Sequence, residues 1–176
     1  PPRDTSTTKD QKFESYLVKK DIPFEYYKTE IKKIGNTRIY TLTGDKINKT
    51  KLSHNNKSGV LKIVYGESEI LLTGDIEKQA EEIYTSSYND FLQSDILKIA
   101  HHGSKTSTTE NFLELVDPDI SLISAGIQNK FKHPAPEIVT RLKKYGSKIL
   151  QTDQSGALFL VSDGNKFTIV DWNPKE

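Results

Sequence analysis

From residue 59 onward the apolar positions alternate between two periods. VLKIVYG (60–66) and SEILLTGD (68–75) are short apolar runs on either side of Gly66-Glu67, which predicts two strands joined by a tight turn. IEKQAEEIYTSSYNDFL (76–92) then reads as helical at its start, with Ile76, Ala80 and Ile83 on one face. DILKIAHH (95–102) predicts a third strand. TTENFLELV (108–116) predicts a short helix with a capping box in which Ser107 precedes Glu110 by three residues. DISLISAG (119–126) predicts a fourth strand. PAPEIVTRLKKYG (134–146) is an amphipathic helix aligning Ile138, Leu142 and Tyr145, with Gly146 as its stop. KILQTD, GALFLVSDG and KFTIVDW close the chain as strands, the last two as a hairpin across Asp163-Gly164.

Before residue 59 the pattern is weaker. QKFESYLVKKD (11–21) suits a helix, PFEYYKTE (23–30) and TRIYTLTG (37–44) suit strands, and NKTKLSHNNKSG (48–59) a polar loop. There is no internal repeat. Strands alternating with helices, followed by a β-rich end, make this an α/β chain.

Composition changes the picture in three places. The 176 residues include no cysteine, which removes thiolate ligands, disulfides and cysteine nucleophiles and suits an extracytoplasmic setting. No apolar run is long enough to cross a bilayer. The opening Pro1-Pro2 and the lack of any methionine suggest a processed product or excised fragment. Charge is uneven: residues 1–58 hold thirteen Lys and Arg against seven Asp and Glu, and the remainder holds twelve against seventeen. A basic first third suits either a polyanionic partner or a lysine-rich solvated surface.

Candidate chemistry sits where strands end. Asp75 closes SEILLTGD, His101 and His102 close DILKIAHH, and His133 lies in the loop after DISLISAG. In α/β sheets ligand sites collect beyond the carboxyl ends of strands. An anionic oxygen with imidazole nitrogens suits zinc, manganese or iron. Adjacent strand residues face opposite ways, so one of His101 and His102 is expected at the metal and the other beside it. Ser104, Lys105, Thr106 and Ser107 then lead into a helix start, whose N–H groups would suit a phosphate. Taken singly, TGD is also an ordinary helix-capping turn, and His-Pro before a helix is common. Two histidines closing an apolar strand are harder to explain by packing, and the three stretches together point to a metal site. Ser104 lacks the G-x-S-x-G setting of a hydrolase nucleophile.

NNKSGVLKIVYGESEILLTGDIEKQAEE, SDILKIAHHGSKTSTTENFLELVDPDISLISAG and KHPAPEIVTRLKKYGSKILQTDQSGALFL together resemble the C-terminal metallo-β-lactamase-like domain of the ComEC family, the DNA-uptake channel proteins of competent bacteria. The likeness runs through about residues 55–160, with HHGSKTS and TDQSGA its most specific strings. It implies an αβ/βα sandwich, of which residues 59–176 are the C-terminal βαβ half and 1–58 a variable middle segment. It also implies two divalent ions, manganese or zinc, and a nuclease acting on DNA during uptake. Asp75 would be the bridging carboxylate and His101 or His102 a ligand, with Asp75 and His101 as the catalytic residues. Ser104, Lys105 and His133 would face the phosphate.

The superfamily's earlier H-x-H-x-D-H motif does not occur in this sequence, and a position where many relatives carry histidine falls near His54-Asn55-Asn56. Two metals would therefore be under-coordinated and this chain alone inactive. The uncovered strands would pair with the missing N-terminal half or with a second copy, beside the membrane channel of the parent protein and outside the cytoplasm. A non-catalytic DNA- or partner-binding module and a hydrolase of small phosphoesters are the alternative readings.

Overall fold

The structure is a computed structural model that describes residues 8–26, 28–43, 47 and 51–170. In chain order it contains α1 (Thr8–Lys19), β1 (Glu30–Ile34), β2 (Thr37–Leu42), β3 (Val60–Tyr65), β4 (Ser68–Leu72), α2 (Lys78–Tyr88) and β5 (Ile96–Lys98). There follow α3 (Glu110–Val116), β6 (Ile120–Ile123), α4 (Pro136–Lys144), β7 (Lys148–Gln151), α5 (Thr152–Ser155), β8 (Phe159–Ser162) and β9 (Phe167–Val170). Tyr27, Gly44, Asp171 and Trp172 of the expected strands, and residues 48–50 of the expected loop, lie outside the described residues.

Seven strands form one sheet in sequence order, β1 to β7, and β8 with β9 forms a separate hairpin. The first four strands pair antiparallel, and between β1 and β2 and between β3 and β4 the turns are too short for a crossover. From β4 to β7 every pairing is parallel, each joined through a helix. The expected strands from residue 60 onward form, although KILQTD ends at Gln151 and turns into α5. In the N-terminal third the expected strand over 23–30 is displaced: β1 is EIKKI, one element further on.

One face of the sheet carries Leu42, Val60, Leu71, Leu97 and Ile123 against Ala80 and Tyr84 of α2, Phe112, Leu113 and Val116 of α3, and Ile138 and Leu142 of α4. These residues form a single buried core cluster. Lys62 also lies on this face and is fully satisfied, donating to the Phe91 and Gln93 carbonyls and pairing with Glu69 at 2.6 Å. The pairing register places Ile39, Leu61, Ile63, Ile70, Leu72, Ile96, Leu122 and Leu150 on the opposite face, where all but the fully buried Ile96 are only half-buried. The β8–β9 hairpin is tied to the β3–β4 turn: Glu67 N–H donates to Gly164 O at 2.6 Å, and Ser162 meets Ser68. Among the described residues no helix is long and apolar enough to cross a membrane.

Candidate functional site

Three loops leave the carboxyl ends of β4, β5 and β6, and long-range backbone bonds tie them together. His101 N–H donates to Gly74 O at 3.1 Å, Ile99 N–H to Leu122 O, and Ala135 N–H to Gly103 O. Gly74 turns at φ +57°, and a Cβ there would lie 2.7 Å from the Ser58 side chain. Ser58 Oγ accepts from Asp75 N–H, which fixes the backbone from which the Asp75 side chain projects.

The two histidines do not continue a strand. β5 stops at Lys98, and Ala100–Gly103 is a tight turn in which His101 (φ 49°) and His102 (φ 56°) both take the left-handed conformation. The alternating-face expectation for the pair therefore does not apply. His102 instead points its Nε2 at Asp75 Oδ1, 3.8 Å away. Its Nδ1 lies 2.6 Å from the Ser124 carbonyl oxygen, which can only accept, so Nδ1 carries the proton. In the neutral ring the Nε2 lone pair then faces the carboxylate, the backbone-oriented arrangement typical of ligand imidazoles.

His101 turns the other way. Its Nδ1 is buried without a hydrogen-bond partner, 3.6 Å from Glu77 Oε1. Its ring meets His133 edge-on with centroids 5.8 Å apart. Glu77 links several elements, accepting from Thr106 Oγ1 at 2.8 Å and Ser53 Oγ at 3.1 Å. Burial, followed by the neighbouring His101 and His102, holds the His133 imidazole below its ordinary pKa. Lys98 is likewise lowered by burial, with the Asp75 carboxylate acting in the opposite direction.

The expected phosphate cradle after HHGS is not free. Thr108 and Thr109 N–H donate to the two carboxylate oxygens of buried Glu81, the Thr109 bond at 2.8 Å. Burial raises the Glu81 pKa, while these N–H groups and Arg141 pull it down. Thr109 caps α3, whereas the expected cap Ser107 donates to Ala100 O and Ser104 O. Ser104 is buried and bonded to Thr106, and Lys105 is exposed. Asn56, near the suspected third position, caps α2 by accepting from Glu77 and Ala80 N–H.

The structure thus brings together Asp75 with His102, and His101 with Glu77 and His133. Sequence reasoning missed Glu77, Lys98 and the Ser124 carbonyl. Glu77 and Lys98 left a trace, an acid two residues after Asp75 and a lone lysine in an apolar strand. The carbonyl left none.

The metallo-β-lactamase superfamily model matches residues 41–127, a segment containing both acid–imidazole pairs. That segment, just under half of the chain, is similar to the metallo-β-lactamase superfamily. Competence protein ComA of Neisseria gonorrhoeae is 40% identical over 107 residues, 61% of this chain and 16% of that protein. ComE operon protein 3 of Bacillus subtilis is 38% identical over 106 residues, 60% of this chain and 14% of that protein. Recombination protein 2 of Haemophilus influenzae is 39% identical over 102 residues, 58% of this chain and 13% of that protein. The match spans at most about a sixth of these relatives' lengths.

Metallo-β-lactamase superfamily members commonly bind divalent metal ions. Asp75 and His102 fit such an ion in donor chemistry, and one ion can bridge their 3.8 Å separation. Among the described residues no three His, Asp or Glu side chains converge as a ligand set. The pair would supply only part of a coordination sphere, and no third such ligand converges on it among the described residues.

Proposed function

We propose that this chain contributes the C-terminal part of a metal-dependent phosphodiesterase domain acting on DNA in competence DNA uptake. The observation that carries the reading is the Asp75–His102 pair, 3.8 Å apart, with the imidazole fixed by the Ser124 carbonyl at the carboxyl edge of the parallel strands. The competence proteins among the relatives direct the reading to DNA.

Two divalent ions, when bound, lower the pKa of a water towards about 7 and offset charge on the attacked phosphate. Asp75 would bridge them, His102 would ligate one, and the Ser124 carbonyl would keep the His102 ring oriented. His101, packed between Glu77 and His133, would hold the loop floor and the phosphate side of the site. The H-x-H-x-D-H ligands do not occur in this sequence, so the chain by itself would be inactive. The half-buried aliphatic face of the sheet fits the same reading, as the surface on which the other sheet of a two-sheet domain would pack. The parent would be a membrane channel protein with this domain outside the cytoplasm.

A non-catalytic DNA-binding module is the second reading, favoured by the two-donor site. The experiment is Asp75→Asn in a longer polypeptide that includes the remaining ligands. It is assayed with manganese or zinc on a plasmid, a single-stranded oligonucleotide and a small phosphodiester. Metal-dependent DNA cleavage lost in the variant supports the proposal. Cleavage that survives the substitution refutes the site, and salt-sensitive binding without cleavage in the parent identifies the module.

A further inference from the structure

The loop between β6 and α4 exposes two large apolar side chains, Ile127 at 76% and Phe131 at 66%. Such exposure would be unremarkable on a loose loop, but this one is braced. Asn129 Nδ2 donates to Gly126 O at 2.9 Å and to His133 O at 2.6 Å, and its Oδ1 accepts from His133 N–H. Phe131 stacks on His133, with centroids 5.9 Å apart and planes 18° from parallel. The ammonium of Lys130 lies 4.8 Å from the Phe131 ring centroid. One aromatic surface is thus presented at a fixed place, partnered by a flexible lysine.

His133 meets His101 edge-on, and the neighbouring His102 also acts electrostatically on its imidazole. It lines an open groove of about 680 Å³ whose walls include Gln128, Lys132, Thr140, Gln151, Gln154 and the carboxylate of Asp153. Carboxamides and a hydroxyl offer mixed donors and acceptors, and Lys132 on the wall, with Lys130 at the Phe131 ring, sets two positive charges against the single Asp153 carboxylate. A ring platform, polar groups and lysines beside a site that takes a phosphodiester match what a single-stranded nucleotide presents: a π-face, an edge and a phosphate.

Resting on the hydrolytic reading above, we infer that Phe131 is a stacking platform for an unpaired nucleobase of single-stranded DNA, and that Lys130 leaves the ring to meet the adjoining phosphate. The base enters from the groove side, and stacking sets which phosphate lies at Asp75. Phe131 is a positioning residue here and takes no part in bond breaking.

The test measures fluorescence anisotropy of the whole 176-residue chain with chelator present, so that binding is read without cleavage. The probes are a labelled oligothymidine and an abasic oligonucleotide of equal length and charge. Phe131→Ala weakens oligothymidine binding by about 5- to 150-fold, the range of one base–aromatic stack, and leaves abasic binding nearly unchanged. Phe131→Trp restores oligothymidine affinity, and Lys130→Ala weakens both probes. Far-UV circular dichroism of Phe131→Ala stays at the wild-type signal, because the ring is mostly exposed.

Equal losses on the two probes, no loss on either, or a wild-type chain that does not distinguish them overturns the inference. A protein docking on Phe131 in place of DNA falls under the no-loss outcome. The hydrolytic reading fails separately. If it alone is wrong, base-dependent binding persists while Asp75→Asn leaves cleavage unaltered. If only this inference is wrong, cleavage still depends on Asp75 and binding ignores Phe131.

Discussion

Glu81 holds the loop that follows the paired histidines, and replacing it with alanine tests that arrangement directly. The carboxylate is completely buried and accepts the N–H groups of Thr108 and Thr109, both about 27 residues away in sequence. Glu81→Ala leaves both donors without an acceptor, and an unpaired buried donor costs about 1–3 kcal/mol. Relief from holding a carboxylate out of water offsets part of that loss, since burial is the largest influence on Glu81. Arg141 still donates to Thr108 O at 2.5 Å and keeps the loop partly tethered. The net expectation is a loss of about 2–4 kcal/mol. At roughly 2–4 °C per kcal/mol for a chain of this size, Tm falls by about 4–16 °C. Thermal unfolding followed by far-UV circular dichroism measures it, with hydrogen exchange at Thr108 and Thr109 as the local readout. A loss below about 1 kcal/mol, with both amides still protected, would mean that something other than Glu81 closes the loop.

The same residue makes a pH prediction with a definite sign. Burial raises the Glu81 pKa above its ordinary 4.5. A carboxyl raised in the folded state contributes its full stability below the ordinary value and loses it as pH rises through the folded value. The stability advantage of wild type over Glu81→Gln is therefore greatest in acid and shrinks towards neutrality. An advantage that grows with pH would show that the N–H groups and Arg141 outweigh burial.

Two further substitutions probe the frame around the site. Asn56→Ala removes the acceptor for Glu77 and Ala80 N–H and should lower the urea midpoint by the equivalent of about 1–2 kcal/mol at an unchanged m value; a midpoint within error of wild type rejects the cap. Gly66→Ala places a Cβ 2.2 Å from Gly164 O at φ +61°, whereas Gly35→Ala has the similar φ +57° and meets nothing within 4 Å. Backbone strain alone costs about 1–2 kcal/mol, so Gly66→Ala should exceed Gly35→Ala by about 1–3 kcal/mol and expose the β8–β9 hairpin to protease. Equal losses at the two glycines would mean that the hairpin is not held at this turn.

The fold from residue 60 onward was legible because its signals are local. The short apolar runs VLKIVYG and SEILLTGD and the spacing of Ile138 and Leu142 mark the segments that meet the core. β1 was displaced for the complementary reason. Phe24 and Tyr26 alternate as a strand should but remain exposed at 39% and 37%, whereas EIKKI pairs with β2 through its backbone and shows solvent its lysines. An edge strand carrying charge hides itself from a hydrophobicity pattern. The chemistry-bearing residues were legible as types and not as partners. Asp75, the paired histidines and His133 stood out, but Glu81 reaching Thr108 and Thr109 is a contact across 27 and 28 positions that no local period encodes.

The turn at the histidines shows why the local reading failed where the function is proposed. Two successive non-glycine residues at positive φ are disfavoured, each by about 1–2 kcal/mol, although histidine accepts this region more readily than most side chains. A continued strand would avoid that strain and send the two rings to opposite faces. The turn persists because Ser104 N–H to His101 O closes it and bonds from elsewhere fix it: His101 N–H to Gly74 O and Ala135 N–H to Gly103 O. Gly103 is required in the same place, since a Cβ there would lie 2.7 Å from Pro134. With the backbone held, His102 can place Nδ1 on the Ser124 carbonyl and Nε2 towards Asp75 at once. His101 is left to Glu77 and His133. Packing alone gives no reason to maintain two strained residues with half-exposed polar rings at a sheet edge. Strain that three separate loops cooperate to hold, and whose result is one oriented acid–imidazole pair, is the pattern expected where geometry serves chemistry.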